Sequence, residues 1–118
     1  MKKFIRGFYF AFSGLGYTFK TQLNFRVHCF TAILVSILSF YLNLNISEWL
    51  WIIAAMALVL ISELMNTSIE TIVDLVSPEY NKKAGIAKDV AAAMVLLSAV
   101  TAVIIGIIIL LPKIINAA

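Results

Sequence analysis

The sequence has little charge and almost no cysteine. Of its 118 residues, 13% are charged and 63% are hydrophobic, whereas ordinary soluble domains are about half apolar. Cys29 is the only cysteine, which excludes a disulfide framework and indicates neither a redox compartment nor a metal site. Too few polar residues are present to cover a soluble core, so the length predicts a single small membrane domain, residues 1–118.

Two further sequence features are absent: a phosphate-loop motif and the pattern of a cleavable signal peptide. No Gly-x-x-x-x-Gly-Lys-Ser/Thr motif occurs, and "GLG" at 14–16 is too short to be a phosphate loop, so a Walker-type nucleotide site is excluded. The N-terminus has no clean apolar stretch followed by a small-residue cleavage site. We therefore expect no cleavable signal peptide.

Apolar residues are concentrated in three runs. A helix of about 20 apolar residues crosses a hydrocarbon core of about 30 Å. The first run reaches that length only when the residues on either side of it are included. The other two runs are long enough by themselves. The sequence therefore predicts an all-α membrane protein with spans at roughly 28–46, 49–76 and 86–111.

The distribution of basic residues predicts the orientation. Eight of the nine lie before the first span or between the second and third, and the loop around "NLNISE" has none. By the positive-inside rule, the N-terminus and the connection 77–88 lie on the cytoplasmic side of the membrane. Trp49 and Trp51 then mark the opposite interface.

Residues 1–26 form a basic, aromatic arm rather than a span. Large apolar residues recur there at steps of three or four, which predicts an amphipathic helix lying in the interface, with a break near Gly14 or Gly16. The arm either anchors to anionic head groups or also binds phosphate. The apolar stripe consists of Phe4, Phe8, Phe12, Leu15 and Phe19.

One face of the second span is acidic. Glu63, Asn66, Glu70 and Asp74 fall within a sector of roughly 80° on a helical wheel. Glu63 lies about 21 Å along the helix from Trp49, and Glu70 about 31 Å. Glu63 is therefore in the inner part of the hydrocarbon layer, where an ionisable side chain indicates a functional site.

Each polar position also has a simpler interpretation. Glu63 and Asn66 could join helices by hydrogen bonds, although several carboxylates on one face repel one another unless a cation joins them. Asp74 could be a solvated helix end. Lys88, which precedes Asp89 at the start of the third span, could be a snorkelling interface lysine or a phosphate ligand.

Together these residues suit phosphoryl transfer from a cytoplasmic nucleotide to a lipid alcohol. Carboxylates at the water line suit Mg²⁺, Lys88 and the arm suit phosphates, and Glu63 could accept a hydroxyl proton. The alternative is a small oligomeric transporter coupled to protons or cations through Glu63. That alternative predicts no ATP dependence and no special role for Lys88 and Asp89. The acidic face argues against a purely structural subunit.

The segment 63–97, "ELMNTSIETIVDLVSPEYNKKAGIAKDVAAAMVLL", resembles the bacterial integral-membrane diacylglycerol kinase family, which includes the undecaprenol kinases. The family pattern is E-x-x-N, I-E-x-x-V-D, an E-Y turn and K-D before a small-residue helix. The "NFRVH" segment, the arm and the three spans extend the likeness over nearly the whole chain. It implies ATP and Mg²⁺ as cosubstrates, a lipid partner but no nucleic acid, and a homotrimer whose active sites are shared between subunits.

The resemblance also implies roles for individual residues. Glu63 matches the general base, and Asn66 its neighbour in positioning the reacting groups. Glu70 matches a Mg²⁺ ligand, Lys88 the phosphate-binding lysine and Asp89 its companion at the nucleotide site. The other implied nucleotide-binding positions are Lys3, Arg6, Gln22, Glu79, Tyr80 and Asn81.

The chain departs from the family pattern at two positions. Gln22 stands where many members have a glutamate that serves as the second metal ligand, so either metal affinity is weaker or Asp74 or Glu79 compensates. His28 stands where some members carry glutamate, and a single histidine there is more often structural or interfacial than catalytic. Nothing in the spans chooses between diacylglycerol and undecaprenol, which would give phosphatidic acid or undecaprenyl phosphate.

Overall fold

A computed structural model describes all 118 residues and contains four helices. These are α1 (Lys2–Thr21), α2 (Leu23–Tyr41), α3 (Ile46–Val76) and α4 (Lys82–Ala117). The last three are each long and apolar enough to cross a membrane. This confirms the predicted class, an all-α membrane protein with an N-terminal amphipathic helix and three spans.

The helix α1 is continuous, so the predicted break near Gly14 or Gly16 is wrong. A glycine inside a helix costs about 1 kcal/mol relative to alanine but does not forbid helical geometry. Across this region, Thr18 Oγ1 donates to the carbonyl of Gly14 at 2.9 Å, a bond that forms within helical geometry. The two glycines therefore lower the stability of α1 without interrupting it.

The corner between the arm and the first span lies at Gln22, earlier than the expected boundary at 26–28. Gln22 is extended, with φ −113° and ψ 108°. Arg26 stabilises the corner from α2, because its Nη1 donates to the carbonyls of Phe19 at 2.7 Å and Lys20 at 3.0 Å. These are among the last carbonyls of α1, which have no partner inside the helix.

The turn between α2 and α3 is short, and the first span ends at Tyr41 rather than near residue 46. Asn43 adopts φ 54°, the left-handed conformation that asparagine tolerates. Asn45 then caps α3 in a reciprocal pair with Glu48, with bonds of 2.9 and 3.0 Å. Glu48 also lies 3.2 Å from Lys113 near the end of α4, which ties the two helices together at this end.

The opposite end of the bundle carries Lys82, Lys83 and Lys88. The helix α4 begins after Asn81, whose Oδ1 accepts from the backbone N–H groups of Lys83 at 2.9 Å and Ala84 at 3.3 Å. Lys82 and Lys88 lie in the first turns of the same helix. We call this the basic end of the bundle.

The helix α3 is the centre of the fold and packs mainly against α4 and less extensively against α2. Only 14 of 118 residues are buried, and most large apolar side chains face outward. That surface suits helices surrounded by lipid or by further chains, since lipid tails are as apolar as leucine. The buried residues of α3 recur at helical spacing: Ile52, Ala55, Val59, Ser62, Glu63, Asn66 and Thr67.

A hydrogen bond of 2.6 Å joins Ser62 Oγ of α3 to Ser98 Oγ of α4 inside the bundle. We expect a double-mutant cycle of Ser62→Ala and Ser98→Ala to give a coupling energy of about 0.6 kcal/mol in reversible unfolding in mixed micelles. Thr101 is half-buried, and its hydroxyl donates to the carbonyl of Leu97 in its own helix. The control cycle of Ser62→Ala with Thr101→Ala should be additive, and equal coupling in both cycles would contradict the assignment.

Candidate active site

The four polar residues predicted on one face of the second span lie on the single helix α3. Glu63 is 2% exposed and Asn66 is 9% exposed. Glu70 is half-buried and Asp74 is exposed. The face therefore runs from a buried carboxylate inside the bundle to a solvent-accessible one at the basic end.

Two acceptor atoms on this face are buried without a hydrogen-bond partner: Glu63 Oε1 and Asn66 Oδ1. Asn66 Nδ2 donates within α3, to Glu70 Oε1 at 3.3 Å. Neither side chain joins two helices by a hydrogen bond, a role that Ser62 and Ser98 take instead. A buried acceptor without a donor costs about 1–3 kcal/mol, so these oxygens are suited to a donor supplied by a ligand.

His28 contacts the buried carboxylate from α2. Its Nε2 lies 3.3 Å from Glu63 Oε1, close enough for an ion pair although the two groups are not aligned as a hydrogen bond. The sequence interpretation of His28 as a structural or interfacial residue did not foresee this contact. No local pattern relates the two positions, because only the packing of α2 on α3 brings them together.

An apolar groove of about 320 Å³ lies between α2, α3 and α4. Eleven of its 14 lining residues are hydrophobic, and His28 lies at the end nearest the basic end of the bundle. On α3 the wall includes Ala55 and Val59, and Glu63 follows Val59 one turn later on the same face. The groove has the volume and lining of a small-molecule site, and the buried carboxylate lies one helical turn beyond its wall.

A second, polar cavity of about 170 Å³ lies at the basic end. Its lining includes the turn residues Glu79, Tyr80 and Asn81 together with Lys88 and Asp74. The structure thus brings together the turn and the lysine that were predicted at a nucleotide site. The volume is below that of typical ligand pockets of about 300–1,000 Å³, so the cavity has room for a phosphate-sized group.

Lys88 is held by Asp74 rather than by Glu70. Its Nζ donates to Asp74 Oδ1, one turn beyond the carboxylate beside which the sequence interpretation placed it. An ammonium group has three N–H donors, so two remain for other acceptors. One oxygen of Asp74 is engaged in this pair, and compensation of Gln22 by Asp74 or Glu79 at a metal site stays a prediction.

The other predicted nucleotide-binding residues do not line the polar cavity. Lys3 and Arg6 are exposed near the start of α1, and Asp89 is exposed on α4. None of the three forms a salt bridge within the chain. Gln22 lies at the corner between α1 and α2, where its Nε2 donates to Thr21 Oγ1 at 3.3 Å. One chain therefore gathers only part of the predicted site.

The donor atoms are compatible with Mg²⁺ only if phosphate completes the site. No group of three or more His, Cys, Asp or Glu side chains is placed to hold a metal ion. Mg²⁺ typically takes one or two carboxylates and fills its remaining positions with water and substrate phosphates. Glu70 supplies such a carboxylate, and its bond from Asn66 fixes the orientation. The side-chain carbonyl of Gln22 donates no charge but can serve as a neutral ligand.

Comparison with known proteins identifies the family. Residues 9–110 match the model of the prokaryotic diacylglycerol kinases. The chain belongs to this family. It is 43% identical over 110 residues to a diacylglycerol kinase of Synechocystis sp., covering 92% of this chain and 63% of that protein. The chain thus spans less than two thirds of that relative.

Two further relatives carry different substrate names. The undecaprenol kinase of Bacillus subtilis is 38% identical over 113 residues, which cover 96% of this chain and 92% of that protein. The diacylglycerol kinase of Escherichia coli is 30% identical over 95 residues, which cover 80% of this chain and 78% of that protein. These matches confirm the family resemblance.

Proposed function

We propose that this member of the prokaryotic diacylglycerol kinase family transfers the γ-phosphate of ATP to the primary hydroxyl of diacylglycerol or undecaprenol. The observation that carries the proposal is the position of Glu63. Its carboxylate is buried, one of its oxygens lacks a donor, and it lies one turn beyond Val59, which lines an apolar groove between three spans. A lipid alcohol supplies both a hydrocarbon chain for the groove and a hydroxyl donor for the oxygen.

On the lipid side, Glu63 acts as the general base. The groove holds hydrocarbon next to the spans and directs the hydroxyl toward the carboxylate. Glu63 accepts the hydroxyl proton as the alcohol oxygen attacks the γ-phosphorus, and ADP leaves. Burial excludes water, which would otherwise compete with the alcohol for the phosphoryl group.

On the nucleotide side, the residues at the basic end bind and orient the phosphates. Two N–H donors of Lys88 remain available next to the polar cavity. Glu70 and Gln22 would hold Mg²⁺, which supplies charge neutralisation on the phosphate oxygens when bound. Asn66 Nδ2 donates to Glu70 Oε1 and so fixes the orientation of that carboxylate. Glu70 lies between Glu63 on the lipid side and Lys88 on the nucleotide side.

We propose that the working unit is a homotrimer in the bacterial inner membrane with its basic end in the cytoplasm. Lys3, Arg6 and Asp89 are exposed and unpaired within one chain, as expected if a site is completed by a neighbouring subunit. Most large apolar side chains also face outward. The concentration of basic residues at one end supports the orientation.

The groove gives a specific prediction. Ala102 lines it from α4, so Ala102→Phe should fill space that the lipid chain needs. We expect KM for the lipid to rise by about tenfold, in line with the loss of roughly 1–2 kcal/mol of apolar contact, while ATP affinity is unchanged. Kinetics at varied lipid fraction in mixed micelles measures both. Leu97→Phe at an exposed position of the same helix is the control, and equal effects of the two changes would contradict a lipid role for the groove.

The proposed function is tested by ADP release in lipid nanodiscs. A lipid kinase releases ADP from ATP only when a lipid alcohol is present. A transporter coupled to protons or cations consumes no ATP under either condition. ADP release that does not increase when diacylglycerol or undecaprenol is added would refute the kinase.

A further inference from the structure

The Glu63 carboxylate faces an electrostatic difficulty that the proposed function does not resolve. A general base must be ionised to accept a proton, yet an ionised carboxylate buried in a span is costly unless a partner compensates its charge. Glu63 is 2% exposed. Some neighbouring group must therefore stabilise the ionised form.

The surroundings of Glu63 contain one candidate for that group. Two ionisable side chains act on the carboxylate: His28 from α2, which favours its charge, and Glu70 of α3, which opposes it. No lysine or arginine lies within ion-pair distance of it. Lys88, the cation at the start of α4, bonds Asp74 instead.

The position of His28 suits this task. Its Nε2 already lies 3.3 Å from Glu63 Oε1, and that oxygen has no other donor. The His28 side chain is 26% exposed, whereas the Glu63 side chain is buried. It also lines the apolar groove at the end nearest Glu63, where the hydroxyl of a lipid alcohol would lie.

We propose that His28 is a positioning residue that donates its Nε2–H to one lone pair of Glu63 Oε1 and thereby holds the carboxylate ionised. The remaining lone pairs of the carboxylate stay free to accept from the hydroxyl of the lipid alcohol. The inference rests on the proposed function, because it concerns the base of that reaction. A small rotation of the imidazole aligns the existing contact as a hydrogen bond. In the reaction, the O–H bond of the alcohol breaks and its proton passes to Glu63. An O–P bond to the γ-phosphorus forms as the bond to ADP breaks, and His28 remains a donor throughout.

Infrared difference spectroscopy tests the pairing directly. Protein in nanodiscs is compared with its Glu63→Gln variant, which identifies the carboxyl band of Glu63, and the comparison is repeated in the His28→Ala and His28→Gln backgrounds. At neutral pH we expect an ionised carboxylate band with His28 present and a protonated band in His28→Ala. His28→Gln keeps a neutral donor of similar reach, so it should be intermediate and also serves if His28→Ala does not fold. A Glu63 band that is the same in all backgrounds would overturn the inference.

The pH dependence of kcat separates a positioning role from a structural one. Removing His28 leaves the charge of Glu63 opposed by Glu70 and by burial, so the acidic limb of the profile should move to higher pH by about one unit or more. Activity lost near neutral pH should then return at higher pH, with KM for ATP unchanged. A uniform loss at every pH would overturn the positioning role.

The two experiments distinguish failure of the inference from failure of the proposed function. A wild-type protein that transfers no phosphate to either lipid refutes the kinase, and the catalytic role of His28 falls with it. An active wild-type protein whose Glu63 band and pH profile are unaffected by His28→Ala overturns the inference alone.

Discussion

Replacing Glu63 by glutamine is expected to lower kcat by about two to four orders of magnitude, the usual contribution of a general base. ATP affinity should be unchanged, because Glu63 lies two turns of α3 away from Glu70 and inside the bundle. Glutamine has nearly the same size as glutamate and keeps an acceptor oxygen, so packing against α2 and α4 is retained. Single-turnover kinetics together with equilibrium nucleotide binding measures both quantities.

The matched control is Glu48→Gln at the opposite end of the bundle. Glu48 caps α3 together with Asn45, and glutamine can keep that capping interaction. This variant should retain both stability and turnover. Turnover in Glu63→Gln equal to that of the control would remove Glu63 as the base.

Replacing Glu70 by alanine is expected to weaken Mg²⁺-dependent nucleotide binding by about two orders of magnitude. The estimate follows from the roughly 2–5 kcal/mol lost when one member of a close charge pair is truncated. Nucleotide binding measured without Mg²⁺ should change little, since Lys88 and the turn at the basic end are untouched. Titration of a fluorescent ATP analogue at several Mg²⁺ concentrations separates Mg²⁺-dependent from Mg²⁺-independent nucleotide binding.

Glu70→Gln is the informative companion variant. It retains an acceptor for Asn66 Nδ2, the bond observed at 3.3 Å, but it carries no charge. If Glu70 is a metal ligand, the glutamine variant loses Mg²⁺ dependence much as alanine does. Normal Mg²⁺-dependent binding by the glutamine variant would show that Glu70 only supports Asn66.

The acidic face could be predicted from the sequence because it depends on one continuous helix. Nothing between Trp49 and Asp74 interrupts α3, so helical periodicity alone aligns Glu63 with Asn66 and Glu70. The three spans could also be predicted from the sequence, because the hydropathy and length of a segment determine whether it can cross a membrane. The ends of the spans were harder to predict. The corner at Gln22 depends on hydrogen bonds from Arg26 to carbonyls of α1, and a hydropathy profile contains no information about such bonds.

The contacts between helices could not be predicted in the same way. His28 and Glu63 are far apart along the chain, and so are Ser62 and Ser98, and neither pair follows a local period. Which pairs meet depends on how α2 and α4 rotate against α3. Lys88 illustrates the point, because position along the helices suggested Glu70 as its neighbour whereas the packing pairs it with Asp74.

The proposal that the groove and the acidic face together phosphorylate a lipid alcohol is tested most directly by phosphate transfer. Purified protein in mixed micelles is given ATP labelled at the γ-phosphate, with diacylglycerol and undecaprenol supplied separately, with and without Mg²⁺. We predict Mg²⁺-dependent label in at least one lipid and its loss in Glu63→Gln, and the ratio of the two rates identifies the preferred substrate. Absence of label in both lipids with folded protein, unrestored by Gln22→Glu, would contradict the account and favour a transporter.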